Sequence, residues 1–129
     1  VEDGRDDYIN VFVLHQNKAA GRGSKNCVHE SMIPGWMHLV VWGNEHQSVP
    51  EVFRSAGDEF GILQPGSTVA TSLNDSETDP KHCFVLKLAR FVPPGEDDFD
   101  MMFIPKAVPL TQVRPFVVRE VTLSDVEGL

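Results

Sequence analysis

Two short, nearly continuous apolar runs constrain this chain more than anything else in it: residues 8–14, Tyr-Ile-Asn-Val-Phe-Val-Leu, and residues 37–42, Met-His-Leu-Val-Val-Trp. Their β-branched and aromatic content predicts strands, and the weak alternation predicts strands covered on both faces. Each run ends in a polar cluster. The first is His15-Gln16-Asn17 and the second is Gly43-Asn44-Glu45-His46. A ligand at the end of a buried strand is held still by its sheet while its tip faces a cleft, and neutral imidazole is the commonest metal-binding side chain. His15, Asn44 and His46 are therefore the candidate metal ligands, and together they make half a site. The carboxylates and further histidines of the other half are not visible in the chain.

Between the two runs, residues 19–26 form a Gly-rich basic loop that with Lys18 holds Lys18, Arg22 and Lys25. A solvated flexible loop outweighs a phosphate-contacting one here. Residues 30–33 make one helical turn stopped by Pro34-Gly35. Further on, residues 60–63 end at Gln64-Pro65-Gly66-Ser67, a turn by its Pro-Gly pair. Residues 74–80 read as an acidic loop. The segment 83–91 places Phe84, Leu86 and Leu88 on one face and Lys87 on the other, as a half-buried strand does. It pairs through the turn at 93–98 with residues 99–104 as an antiparallel hairpin. Residues 110–121 read as a final strand, entered at Pro115. The fold class is α/β, mostly β in this chain.

Charge and length narrow the function. The formal net charge is −8, from 19 acidic against 11 basic residues. Phosphate affinity comes from clustered Lys and Arg, so this counts against nucleic-acid binding by these residues alone. No stretch approaches the roughly 20 apolar residues of a membrane span, and the acidic start is the reverse of a secretory leader, which reads as soluble and intracellular with no membrane partner. Cys27 and Cys83 have neither zinc spacing nor a disulfide framework and read as a loop thiol and a small buried hydrophobe. His29, His38 and His82 read as ordinary surface or packing residues, and Glu45 as either a carboxylate orienting a ligand or a solvated acid.

Five segments taken in order carry a family resemblance: Val13-Leu14-His15-Gln16-Asn17, residues 39–46, residues 64–73, Pro80-Lys81-His82 and Val113-Arg114-Pro115-Phe116. This order resembles the Mre-eleven and SbcD-type DNA double-strand-break repair nucleases. The resemblance implies part of a calcineurin-like metallophosphoesterase β-sandwich flanked by helices, with residues 1–112 the C-terminal half of the nuclease domain and 113–129 the start of a DNA-capping domain. It further implies two Mn²⁺ ions. In that family the His of the His-Gln-Asn motif and the first His of a Gly-His-Glu-His motif share one ion, and the second His binds the other. His15 and His46 match those positions, while Asn44 stands where the family has a histidine. An amide oxygen binds more weakly than imidazole, although oxygen donors suit Mn²⁺. The family's earlier motifs would precede Val1, so the resemblance implies that these 129 residues alone cleave nothing. Other implied properties are DNA as substrate, an SMC-type ATPase and an Nbs-type adaptor as partners, a homodimer, and a nuclear location. The alternative is a non-catalytic scaffold with a degenerate metal site; a phosphatase fits the 64–73 segment less well.

Overall fold

The computed structural model describes residues 8–19, 26–97 and 99–122. Its centre is a four-stranded mixed sheet of β1 (Val11–His15), β4 (Leu39–Gly43), β5 (Phe53–Arg54) and β6 (Gly61–Leu63), in the order β1-β4-β6-β5. β1 runs parallel to β4 and β4 parallel to β6, with Phe12 opposite Val40 and Val40 opposite Ile62. β5 closes the other edge antiparallel to β6. A two-residue parallel ladder, β2 (Asn17–Lys18) on β3 (Cys27–Val28), closes the base of the basic loop. The hairpin is β7 (His82–Phe91) with β8 (Asp100–Pro109), antiparallel through ten residue pairs. The fold is thus α/β in class and mostly β, as expected, and it fits part of a metallophosphoesterase. Among the described residues the helical structure amounts to 3-10 turns at Glu30–Met32 and Asp75–Glu77.

The continuous apolar run of β4 explains its central place. Val40, Trp42 and Ile62 are fully buried on one sheet face beside Ile33 and Phe60, with Leu14, Val28, Met37 and Phe53 packed against them. Each such burial is worth about 1.5–3 kcal/mol, so this cluster anchors the sheet. The Trp42 indole N–H donates to the Gln16 carbonyl at 2.8 Å, which satisfies the ring's one polar atom and ties the end of β1 to β4. On the opposite face Leu39 is fully buried, and Phe103 of the hairpin lies 3.5 Å from the position a Cβ would take on Gly61.

Four expectations are corrected. β1 is not covered on both faces: Val11 is 42% and Val13 69% exposed. It lies at a sheet edge, with β4 its one neighbour among the described residues. The final strand across 110–121 is absent from the described part of that stretch. The chain instead makes a turn with Val113 N–H on the Leu110 carbonyl at 3.4 Å, and residues 114–122 have no regular structure. Pro115 lacks a ladder donor there, and β8 already occupies the flank of β7. Cys83 is exposed rather than buried, because it sits on the outer face of the hairpin. Alternation along β7 follows the expected phase from His82 to Leu86 and then slips, leaving Leu88 exposed and Ala89 and Phe91 half-buried.

The turn at Gln64-Pro65-Gly66-Ser67 folds back on the segment after β4. Val49 N–H donates to the Gln64 carbonyl at 2.9 Å and Ser67 N–H to the His46 carbonyl at 3.1 Å. Gly66 has φ +74°, and a Cβ there would stand 2.6 Å from the Ser48 amide nitrogen. Left-handed backbone costs an ordinary residue about 1–2 kcal/mol before any clash is added. We expect Gly66→Ala to lower stability by at least about 2 kcal/mol, read as a fall in the urea midpoint at unchanged slope.

Candidate metal centre

Parallel pairing of β1 with β4 brings the two polar clusters together at the carboxyl ends of adjacent strands, where open α/β sheets place their ligands. His15 pairs directly with Gly43. A Cβ on Gly43 would lie 3.1 Å from the His15 Nδ1, so the imidazole rests against the one backbone position that has no side chain. The next residue, Asn44, has φ 75°, a left-handed conformation that Asn tolerates better than most residues. Its amide Nδ2 donates to Asn17 Oδ1 at 2.7 Å. Asn17 thereby links the His-Gln-Asn cluster to the second one. Glu45 resolves as an organiser of this junction: its carboxylate accepts the Lys18 backbone N–H at 2.7 Å.

His46 is held from below by residues that read as an ordinary polar loop in the sequence. Its Nδ1 contacts both Glu77 Oε1 and, at 2.6 Å, Thr71 Oγ1. The Glu77 side chain is fully buried, whereas that of His46 is 40% exposed. Glu77 Oε2 also accepts the Thr71 N–H at 2.6 Å, and Oε1 accepts the Ser72 N–H at 3.2 Å and the Thr71 hydroxyl at 3.1 Å. Lys81, 3% exposed, places its ammonium 3.7 Å from Glu77 Oε2. The same ammonium donates to the His46 carbonyl at 2.9 Å and to Ser67 Oγ at 3.0 Å. The turn at 64–67, the loop at 71–77 and the start of β7 therefore meet under one histidine.

Burial alone pushes the Glu77 carboxyl up. The hydrogen bond from His46, then the Thr71 and Ser72 amides and the Thr71 hydroxyl, outweigh it and bring Glu77 from 4.5 down to about 2. A depressed carboxylate binds its proton more tightly in the unfolded chain, so its stabilising share is complete above 4.5 and is lost as pH falls toward about 2. We expect the urea midpoint of the chain to decline across that window and Glu77→Gln to flatten part of the decline. Glu30 is also lowered. Burial raises it, but the Ala56 N–H and Lys18 outweigh that effect.

Of the other histidines, His29 is exposed while His38 and His82 are bonded within the fold. His38 Nδ1 accepts the Asn10 N–H at 2.9 Å, and His82 Nδ1 meets Ser48 Oγ at 3.1 Å. The Lys18 ammonium pairs with Glu30 at 2.9 Å and lies 4.7 Å from the Phe53 ring centroid. Arg22 and Lys25 lie outside the described residues. Thr71, Glu77 and Lys81 were missed by sequence reasoning as site residues. The one available signal was the i, i+4 acid and base pair, Glu77 and Lys81, interrupted by Pro80.

Two imidazoles following adjacent strands suit a divalent transition metal as part of a donor set that oxygen ligands would complete. Among the described residues no group of three His, Cys, Asp or Glu side chains gathers to complete one. These donors therefore fit one side of a metal centre. The mixed sheet and its few helical turns are consistent with an α/β segment of a metallophosphoesterase.

No family model matches the chain. Individual relatives do. It is 38% identical over 127 residues to the double-strand break repair protein MRE11 of Arabidopsis thaliana, covering 97% of this chain and 16% of that protein. It is 39% identical over 131 residues to double-strand break repair protein mre-11 of Caenorhabditis elegans, covering 95% and 17%. To MRE11 of Rattus norvegicus it is 30% identical over 124 residues, covering 96% and 16%. The chain is similar over nearly its whole length to one segment of the MRE11 double-strand break repair proteins and spans about a sixth of the length of these relatives.

Proposed function

We propose that this chain supplies His15 and His46, with Asn44 beside them, to a two-manganese centre in a DNA nuclease of double-strand-break repair. The observation that carries the reading is His46 itself: an imidazole just beyond a strand, with Nδ1 on a fully buried carboxylate and a side chain that is 40% exposed. When bound, a pair of Mn²⁺ ions supplies charge stabilisation and an activated water for phosphodiester hydrolysis. The chain's own part is to hold the imidazoles. β1 and β4 fix their spacing, Gly43 lets His15 approach the backbone, and Lys81 fixes the His46 carbonyl. The remaining ligands belong to the rest of the intact protein, and these 129 residues alone are inactive. Residues from 113 onward begin the DNA-capping domain. The likeness to double-strand break repair proteins supports DNA as the substrate; an SMC-type ATPase and an Nbs-type adaptor as partners, homodimerisation and a nuclear location are part of the same proposal.

A scaffold reading competes on one observation, the engagement of the Asn44 amide with Asn17 in place of a histidine ligand. Calorimetry with Mn²⁺ on the intact protein and its Asn44→His variant separates the two. Binding by the unmodified protein supports the nuclease; no binding, with recovery in Asn44→His, establishes the scaffold.

A further inference from the structure

The geometry points to Glu77 as the positioning residue of His46: it accepts the Nδ1 proton, fixing the tautomer that leaves Nε2 bare and outward for a divalent metal. This inference rests on the reading of His46 as a metal ligand and adds the residue that prepares it. A metal-binding imidazole ordinarily donates its other ring N–H to a carboxylate, which fixes the tautomer, sets the ring plane and raises ligand basicity.

The cradle has each part this role needs. The acceptor is buried and ionic, and it meets Nδ1 directly. With Nδ1 turned onto a fully buried side chain and the histidine 40% exposed, the accessible edge of the ring is the one that carries Nε2. The carboxylate cannot swing away, because three donors from Thr71 and Ser72 and the Lys81 ammonium hold its two oxygens. Thr71 Oγ1, 2.6 Å from Nδ1, gives its own proton to Glu77 Oε1, so it leaves the imidazole proton in place instead of competing to donate one. Lys81 holds the backbone of the same histidine through its carbonyl, so ring and main chain are fixed by one network.

Two measurements on the intact protein test it. The first needs no variant: ¹⁵N spectra of histidine-labelled, metal-free protein, with the His46 signals assigned by their loss in His46→Ala. The expected result is a protonated Nδ1 and a bare Nε2; the opposite tautomer overturns the inference. The second is Mn²⁺ affinity in Glu77→Gln, which keeps an acceptor oxygen but removes the charge. A fall of about 10- to 100-fold is expected, as for loss of a carboxylate behind a ligating histidine. In the His46→Ala background the same change should leave affinity as it was, because there is no ring left to orient. An equal further loss there identifies Glu77 as merely structural and overturns the role. If His46→Ala weakens Mn²⁺ binding and Glu77→Gln does not, the inference fails while the metal reading stands. If neither changes it, His46 is not a ligand and both fail.

Discussion

Replacing His46 by Ala in the intact protein is expected to lower Mn²⁺ affinity by about 100-fold or more, since losing even the carboxylate behind a ligand costs 10- to 100-fold. DNA cleavage should fall with it and return only partly at high Mn²⁺. The reasoning is local. His46 sits just beyond the end of a central strand whose Leu39, Val40 and Trp42 are fully buried, so the ring has a rigid base. Its Nδ1 is committed to Glu77 and Thr71, which leaves one nitrogen for a metal. A packing histidine gives the contrast: His38→Ala removes an acceptor for the Asn10 N–H and should lower stability while leaving Mn²⁺ affinity unchanged. Equal effects of the two substitutions on affinity would show that His46 acts through folding.

Lys81→Met is expected to lower stability by about 3–5 kcal/mol, the usual cost of removing one partner of a buried ion pair. The Lys81 side chain is 3% exposed, and its ammonium bridges three groups, the Glu77 carboxylate, the His46 carbonyl and Ser67 Oγ. A methionine side chain matches the stem but leaves each of those groups short of a donor. Coupling supplies a sharper readout. Once Lys81 is Met, replacing Glu77 by Met removes the uncompensated charge, so the double variant should be more stable than the sum of the single losses predicts. Urea unfolding of all four proteins measures the coupling, and strict additivity would mean that the two side chains do not interact.

Much of the fold was legible because a few segments carry strong patterns. β1 and β4 announced themselves as continuous apolar runs, and the hairpin as two runs joined by a Pro- and Gly-containing turn. What escaped has physical causes. β2, β3 and β5 are two residues long, too short to show any period. β8 extends through Pro105 to Pro109, residues that argue against a strand unless one edge is free of ladder bonds, which is its position beside β7. The exposure of β1 depends on what lies beside it, which no local pattern encodes.

The site divides in the same way. Histidines after apolar runs were visible as candidates, and pairing of His15 with Gly43 gave them a common location. Glu77 was hidden in a run of Asn, Asp, Ser and Thr residues that resembles a solvated loop. Its surroundings exist only once the chain folds back, because besides Thr71, Ser72 and Lys81 it meets His46, 31 positions away. Asn44 is legible in both senses: the sequence marks it as a departure from the family motif, and the backbone explains why an asparagine is tolerated there.

The most direct test is anomalous scattering from crystals of the intact protein grown with saturating Mn²⁺. A manganese peak within coordination distance of His46 Nε2, with a second ion on the side of His15, is the expected result. Manganese peaks elsewhere, with the His46 imidazole unliganded in a protein that cleaves DNA, would contradict it.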